Sequence, residues 1–256
     1  MNLFDLSGQV ALITGATRGI GLAVARAYGQ AGARLAISSE NPEDCRQVAA
    51  QLAEEGIDAW PLAADMGQQA QVLALAEAVL EHFGQLDILV CNAGIAPHMG
   101  PLASASEAQW QATLTVNLQS AVWLTSALIP ALVARGGGSV VLMASIAGVR
   151  GNRGLGLYGL SKAALAQLAR NLAVEWGPSN VRVNAISPGV VQTAFARPLT
   201  DQPTVMDKRL ALTPLRRVGR PEEIAAVALL LAAPGGAFIT GQNLIVDGGT
   251  TIGDGN

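Results

Sequence analysis

Seven short runs rich in β-branched and other apolar residues alternate with longer alanine-rich segments, and this alternation restricts the fold more than any other feature. The runs "QVALITG", "ARLAIS", "AWPLAAD", "LDILVCNAG", "GSVVLMAS", "VRVNAISPG" and "NLIVDGG" read as buried strands, each closed by small or turn-forming residues. Segments between them, such as "PEDCRQVAAQLAEEG" and "LYGLSKAALAQLARNLAVEWG", repeat apolar residues at intervals of three and four, the period of a helix. Strand, helix and strand in succession imply right-handed crossovers and therefore an α/β fold, a doubly wound parallel sheet with helices on both faces. No linker, repeat or low-complexity segment divides residues 1–256, so a single domain is expected. The stretch from Thr193 to Leu212 departs from the pattern: it is polar, holds Pro198 and Pro203, and reads as a mobile lid.

Composition bounds the function. With 256 residues, half of them apolar, the chain can bury a core without disulfides or metal. Its 16 basic and 19 acidic residues are dispersed, and no basic block suited to a phosphate backbone is present, so nucleic acid is not an expected partner. Cys45 and Cys91 match neither a metal-ligand spacing nor a disulfide framework, which suits a reducing cytoplasm and no metal site. The opening "MNLFDLSGQVALITG" lacks the marks of a signal peptide, and no apolar run approaches the ~20 residues of a membrane span. A cytoplasmic protein with no membrane partner is expected.

Two motifs carry chemistry. In "TGATRGIG", Gly15, Gly19 and Gly21 stand between the first strand and a helix, where glycine permits a tight turn and the helix N-terminus attracts a dinucleotide phosphate. The spacing is G-x-x-x-G-x-G, not the more common G-x-G-x-x-G. In "YGLSK", Tyr158, one of only two tyrosines, stands four residues before Lys162, so on a helix both can face one cavity. An ordinary tyrosine titrates near pH 10, and a neighbouring ammonium is expected to lower that value.

Taken with Thr14, "CNAG" at 91 to 94, Asn117, Ser145 and "SPG" at 187 to 189, these motifs resemble the short-chain dehydrogenase/reductase family over essentially the whole chain, down to "ITGQNLIVDGG". The resemblance implies one Rossmann-type sheet of seven strands and hydride transfer between a nicotinamide cofactor and a carbonyl or secondary alcohol. It implies that Tyr158 gives its proton to the carbonyl oxygen in reduction and takes it back in oxidation. Ser145 would hydrogen-bond the reacting oxygen, Lys162 would hold the nicotinamide ribose, and Asn117 would hold a water linking Lys162 to solvent. Each has an ordinary alternative when taken singly: an amphipathic pair for Tyr158 and Lys162, a strand-end turn for Ser145, local backbone bonding for Asn117.

For the cofactor the resemblance assigns Gly15, Thr17, Arg18, Gly19, Ile20 and Gly21 to the phosphate loop, and Asp65 with Met66 to the adenine. Asn92, Ala93 and Gly94 would lie beneath the adenosine ribose, and Ile186, Pro188, Gly189, Val191 and Thr193 around the nicotinamide amide. Ser38 and Ser39 end the second strand where an acidic residue would select NAD(H), and Arg18 resembles the basic partner of a 2′-phosphate, so NADP(H) is favoured over NAD(H). Glu40 is the opposing observation.

The expected partner is a small-molecule carbonyl or alcohol, with Ile95 to Leu102, Ile146 to Leu157 and the lid forming its pocket. His98, Arg150 and Arg153 are candidates there, the arginines for an anionic substrate and all three equally for a solvated loop. Two other readings stand beside this one: a 3-oxoacyl-[acyl-carrier-protein] reductase, for which Arg135 is present but "WGPSN" is uncharged, and a non-catalytic dinucleotide-sensing scaffold. Apolar residues on the two longest helices, including Trp110, Val116, Leu118, Val122, Trp123, Leu165, Leu168 and Leu172, exceed what one sheet face needs, and with the family's pattern they suggest a homotetramer.

Overall fold

Residues 2–253 are described by the computed structural model, so Met1 and residues 254–256 of the expected single domain lie outside the described residues. The seven apolar runs form strands β1 (Val10–Thr14), β2 (Arg34–Ser39), β3 (Ala59–Ala63), β4 (Ile88–Cys91), β5 (Gly138–Met143), β6 (Val181–Pro188) and β7 (Asn243–Val246). All neighbours are parallel, in the order β3-β2-β1-β4-β5-β6-β7. The chain begins at the centre, winds outward to β3, then returns to lay β4 beside β1 with Ile13 opposite Val90. It winds outward again in the other direction. That reversal leaves a crevice at the C-terminal ends of β1 and β4, the place where open α/β sheets bind ligands.

Alternate strand residues feed two cores. Ala11, Ile13, Leu35, Ile37, Ile88 and Val90 pack under α1 (Gly19–Gln30), α2 (Pro42–Glu54) and α9 (Pro221–Ala232). Val10, Leu12, Ala36, Leu89, Val140 and Leu142 pack under α3 (Gln69–Phe83), α5 (Ser120–Ala134) and α6 (Gly156–Trp176). Both faces being covered explains why the strands read as continuous apolar runs. Tyr28 of α1, wholly buried, donates its hydroxyl to the Ala228 carbonyl of α9 at 2.9 Å and ties those two helices together.

Three expectations are corrected. The crossover expected as one long helix is α4 (Glu107–Leu114), a π-helical turn over Thr115–Gln119, and α5. One extra residue per turn leaves the apolar period nearly unchanged, so the sequence pattern cannot reveal it. The continuous stretch Glu107–Ala134, 28 residues long, is also apolar enough by length and composition to cross a membrane. Here its Leu124, Leu128, Ile129 and Leu132 are instead buried against the sheet. Finally, the stretch from Thr193 is helical, with a short 3-10 turn (Ala194–Ala196), α7 (Arg197–Thr200) and α8 (Pro203–Ala211). Pro203 sits at the start of α8, where a proline's missing N–H costs nothing and its fixed φ suits the helix.

Candidate active site

The crevice is built first by backbone. Gly15 (φ 63) and Gly19 (φ 57) take the left-handed conformation that turns the chain from β1 into α1. Gly21 lies in the first turn, where any Cβ would overlap the Gly15 carbonyl. Arg18, the N-cap, contributes no side-chain cap, so the first N–H groups of α1 and its positive dipole end remain available to an anion. This glycine cradle fits a dinucleotide phosphate. The Thr14 hydroxyl accepts from the N–H groups of Asn92 (3.1 Å) and Ala93 (3.2 Å). In return the Asn92 amide donates to the carbonyls of Thr14 and Gly15, both at 3.0 Å. The ends of β1 and β4 are thereby locked together; Thr14's share in this lock was not anticipated among the site residues.

The opposite wall is α6 with the segment after β5. Ser145 caps the turn Ile146–Gly148, its Oγ accepting from the Ala147 N–H at 3.1 Å. The same hydroxyl lies near enough to the Tyr158 phenol to favour its ionised form, and both line one cavity. The contact depends on close approach: a Cβ on Gly148 would strike the Ala163 backbone, and one on Gly159 the Ala147 carbonyl.

Lys162, almost wholly buried, donates from Nζ to the Met143 carbonyl at 2.7 Å and lies 5.6 Å from the centre of the Tyr158 ring. Burial pulls its ammonium down to about 8. Burial likewise pushes the Tyr158 phenol up to about 12, against a smaller lowering by Ser145. The phenol therefore moves in the direction opposite to the one expected from the ammonium, because burial is the larger cause and the lowering comes from Ser145.

Asn117 sits in the π-helical turn, buried and outside the cavity lining. Its Oδ1 accepts from the Ile95 N–H at 2.8 Å, and its Nδ2 donates to the Ile95 carbonyl (2.9 Å) and to Ser161 Oγ (3.0 Å). The side chain thus pins the segment after β4 to α6. Gly94 lies between, where a Cβ would stand 3.2 Å from Lys162 Nζ and 3.3 Å from Asn117 Oδ1.

One cavity of about 1010 Å³ connects these parts. Arg18, Glu40, Asp65 and Met66 line one end; Gly15, Gly19, Ile20, Asn92, Ala93 and Gly94 line the middle. Ser145, Tyr158, Lys162, Pro188, Gly189, Val191 and Thr193 line the other end. Phe195 leans over Tyr158 with ring centres 5.8 Å apart.

Several expected residues fall elsewhere. Ser38 and Ser39 point into the buried sheet, and it is Glu40, 3.7 Å from Arg18, that borders the cavity. Ile186 belongs to the core, Gly21 packs against the Gly15 carbonyl and the Asn92 amide behind the turn, and Thr17 is outside the lining. His98 is buried with Nε2 3.0 Å from Ser104 Oγ, and Arg153 does not reach the cavity. Arg135 pairs with Asp87 at 3.2 Å beside the start of the central strand β4, at the end of the sheet opposite the crevice. Arg209 of α8 lines the cavity and was not anticipated, because its helix was not.

The chain is similar to known proteins over nearly its whole length. A family model described as enoyl-(acyl carrier protein) reductase matches residues 15–251. The chain is 36% identical over 245 residues to dehydrogenase/reductase SDR family member 4 of Bos taurus, covering 96% of this chain and 88% of that protein. It is 40% identical over 249 residues to D-threitol dehydrogenase of Mycolicibacterium smegmatis, covering 97% and 95%. Among solved structures, a gluconate 5-dehydrogenase from Burkholderia cenocepacia in complex with NADP and tartrate superposes with TM-score 0.94 at 33% identity, covering 98% of both chains. A 7α-hydroxysteroid dehydrogenase complexed with NADH and a 7-oxo bile acid superposes with TM-score 0.93 at 33% identity, covering 96% of both. The chain belongs to the short-chain dehydrogenase/reductase family and is an oxidoreductase of alcohols and carbonyls.

The buried ammonium has a measurable consequence. Lys162 titrates near 8 when folded and near 10.5 when unfolded, so between those values the unfolded chain binds more protons and stability rises with pH. The slope should approach at most about 1.4 kcal/mol per pH unit. The buried thiols of Cys45 and Cys91 are raised and act in the opposite sense over the same range, so the readout is the difference between proteins: in denaturant titrations between about pH 8 and 10 the stability of the wild type relative to Lys162→Met should rise with pH, and a constant difference would refute the buried ammonium.

Proposed function

We propose that the protein is an NADP(H)-dependent reductase and dehydrogenase of a small carbonyl/alcohol pair, with Tyr158 as general acid and base. The observation that carries this reading is the convergence of Tyr158, Ser145 and Lys162 at one end of a cavity whose middle is a glycine-lined helix N-terminus. A bound nicotinamide cofactor would supply or accept the hydride. Gly15, Gly19 and Ile20 would hold its pyrophosphate, Asp65 and Met66 its adenine, and Asn92, Ala93 and Gly94 its adenosine ribose. Pro188, Gly189, Val191 and Thr193 would border the nicotinamide.

The remaining chemistry falls to the chain. Ser145 presents its O–H beside the phenol, so a carbonyl oxygen placed there receives two hydrogen bonds as negative charge develops. Burial keeps the phenol protonated at neutral pH, the form an acid needs in reduction. Lys162 would bond the nicotinamide ribose and favour the phenolate when Tyr158 acts as base. Asn117 would hold the loop that shapes this end, and a water between its neighbourhood and Lys162 would return protons from solvent. Phe195 and α8 would close as a lid that excludes bulk water.

For the cofactor we take Arg18 as the partner of a 2′-phosphate. Its ion pair with Glu40 is exposed on both sides and therefore weak, so a doubly charged phosphate competes readily for the guanidinium. We also propose a cytoplasmic homotetramer. Leu165 proves to be fully buried and Leu168, Leu172 and Trp123 pack on the chain's own core, which reduces the apolar surplus. Val122, Leu160, Val174, Phe238 and Ile245 remain exposed on α5, α6, the segment before β7 and β7 itself, and these support the assembly. With Arg135 paired at the opposite end of the sheet, nothing in the site favours a carrier-protein substrate.

Three measurements test this reading. Tyr158→Phe should abolish turnover, followed as nicotinamide absorbance, while dinucleotide affinity measured by fluorescence stays within about twofold; turnover near the wild-type level would end the assignment. Direct titrations should show NADPH binding more tightly than NADH, with Arg18→Ala lowering NADPH affinity roughly tenfold to a hundredfold. A wild type that prefers NADH would instead give the ribose to Glu40. Light scattering should report about four times the single-chain 26.2 kDa, and a monomer mass would refute the assembly.

A further inference from the structure

Beside the reacting end of the cavity stand two arginines that the proposed reaction does not use. Arg150 follows the turn that carries Ser145, and Arg209 projects from α8; both line the same cavity as Tyr158. Among the described residues neither has an ion-pair partner within 4.0 Å, whereas Arg26, Arg46, Arg135 and Arg217 are all paired. Arg150 makes one hydrogen bond, from Nη1 to the Thr250 carbonyl at 3.2 Å. The Arg209 guanidinium donates to no acceptor among the described residues.

Among the described residues no carboxylate pairs with either arginine. Of those residues only Glu40 and Asp65 are carboxylates lining the cavity, and they follow β2 and β3, at the end where Arg18 stands. Asp247 borders a small adjoining recess with Arg209, but its Oδ1 accepts from the Gly249 N–H at 2.8 Å and its Oδ2 from the Thr251 N–H at 2.7 Å. Arg217 in the same recess is held by Glu223. On α8 itself Asp207 and Lys208 face solvent. Arg209 is half-buried, and both its burial and the like charge of Arg150 disfavour its protonated form. Two guanidinium groups held near each other in a partly desolvated wall, with no carboxylate paired to either among the described residues, are a receptor for an oxyanion.

Resting on the proposed reaction, we infer that Arg150 and Arg209 form an oxyanion subsite, which binds a carboxylate or phosphate carried by the substrate away from its reacting carbonyl. Leu155, Phe195 and Leu199 offer an apolar wall to the intervening carbon chain. The favoured substrates are therefore oxo acids or oxo phosphate esters and the corresponding hydroxy compounds, and neutral ketones of equal size are poor ones. Because Arg209 lies on α8 and Arg150 on the fixed wall, an anion bridging them also draws the lid towards the site.

The test uses the NADPH-loaded protein and three compounds with one oxo-bearing carbon skeleton, ending in a carboxylate, its methyl ester or a phosphate monoester. The wild type should favour one or both anions over the ester in kcat/KM by at least about tenfold, and the better anion identifies the group. Arg209→Met and Arg150→Met should each lower the anion-to-ester ratio roughly tenfold, mainly through KM, and Arg209→Lys should lower it less. A ratio that is the same in wild type and both methionine variants overturns the subsite, as does a wild type that prefers the ester. Should none of the three be reduced, it is the proposed reaction that fails. The subsite is then judged by thermal shift with acetate and inorganic phosphate: stabilisation of the wild type that both methionine variants lose supports it, and no stabilisation overturns it.

Discussion

The parallel pairing of β1 with β4 is the constraint from which the catalytic end of the molecule follows. Ile13 faces Val90 in that pair, and beyond it the two strands send their chains to opposite faces of the sheet, opening a crevice that no side chain fills. Its rim is held by hydrogen bonds, with the Thr14 hydroxyl accepting from two successive N–H groups and the Asn92 amide returning two to β1. Such bonds inside a largely desolvated rim are costly to leave unmade. They hold the glycine turn rigidly enough to present the N-terminus of α1 to a ligand.

Burial is the second organising force, and it acts on the reacting groups directly. The Lys162 ammonium and the Tyr158 phenol are both moved towards their neutral forms by the same loss of water, one downward and one upward. The phenol therefore keeps its proton at neutral pH. The Met143 carbonyl partly compensates the lysine, and the close contacts at Gly148 and Gly159 bring Ser145 within reach of the phenol. Thus two positions without side chains control where a reactive hydroxyl stands.

The lid region combines both themes. α8 is anchored by the buried Met206, while its Arg209 turns towards the cavity and Phe195 from the preceding turn covers Tyr158. An apolar cover over the reacting atoms and a positive charge farther out divide the space into a dry end and a charged end.

Much of this was legible from residues alone. Seven apolar runs marked seven strands because both sheet faces are covered, and the pairs Gly15 with Gly19 and Tyr158 with Lys162 marked two parts of one cavity because their spacing suits a turn and a helix face. Other features required the folded chain. The π-helical turn that places Asn117 disturbs the apolar period too little to be read, and Asn117 turned out to bond Ile95 instead of lining the cavity. Ser38 and Ser39 were read at the cofactor's edge, yet the strand's last residues remain buried and Glu40 takes that place. Sequence by itself determined the element types, their order and the reactive residue types, since those follow from local periodicity and side-chain chemistry. Only tertiary structure decided the protonation states, the partnering of Arg18 with Glu40 and the meeting of Arg150 with Arg209 at one cavity, because solvent exclusion and charge act through distance in space and not along the chain.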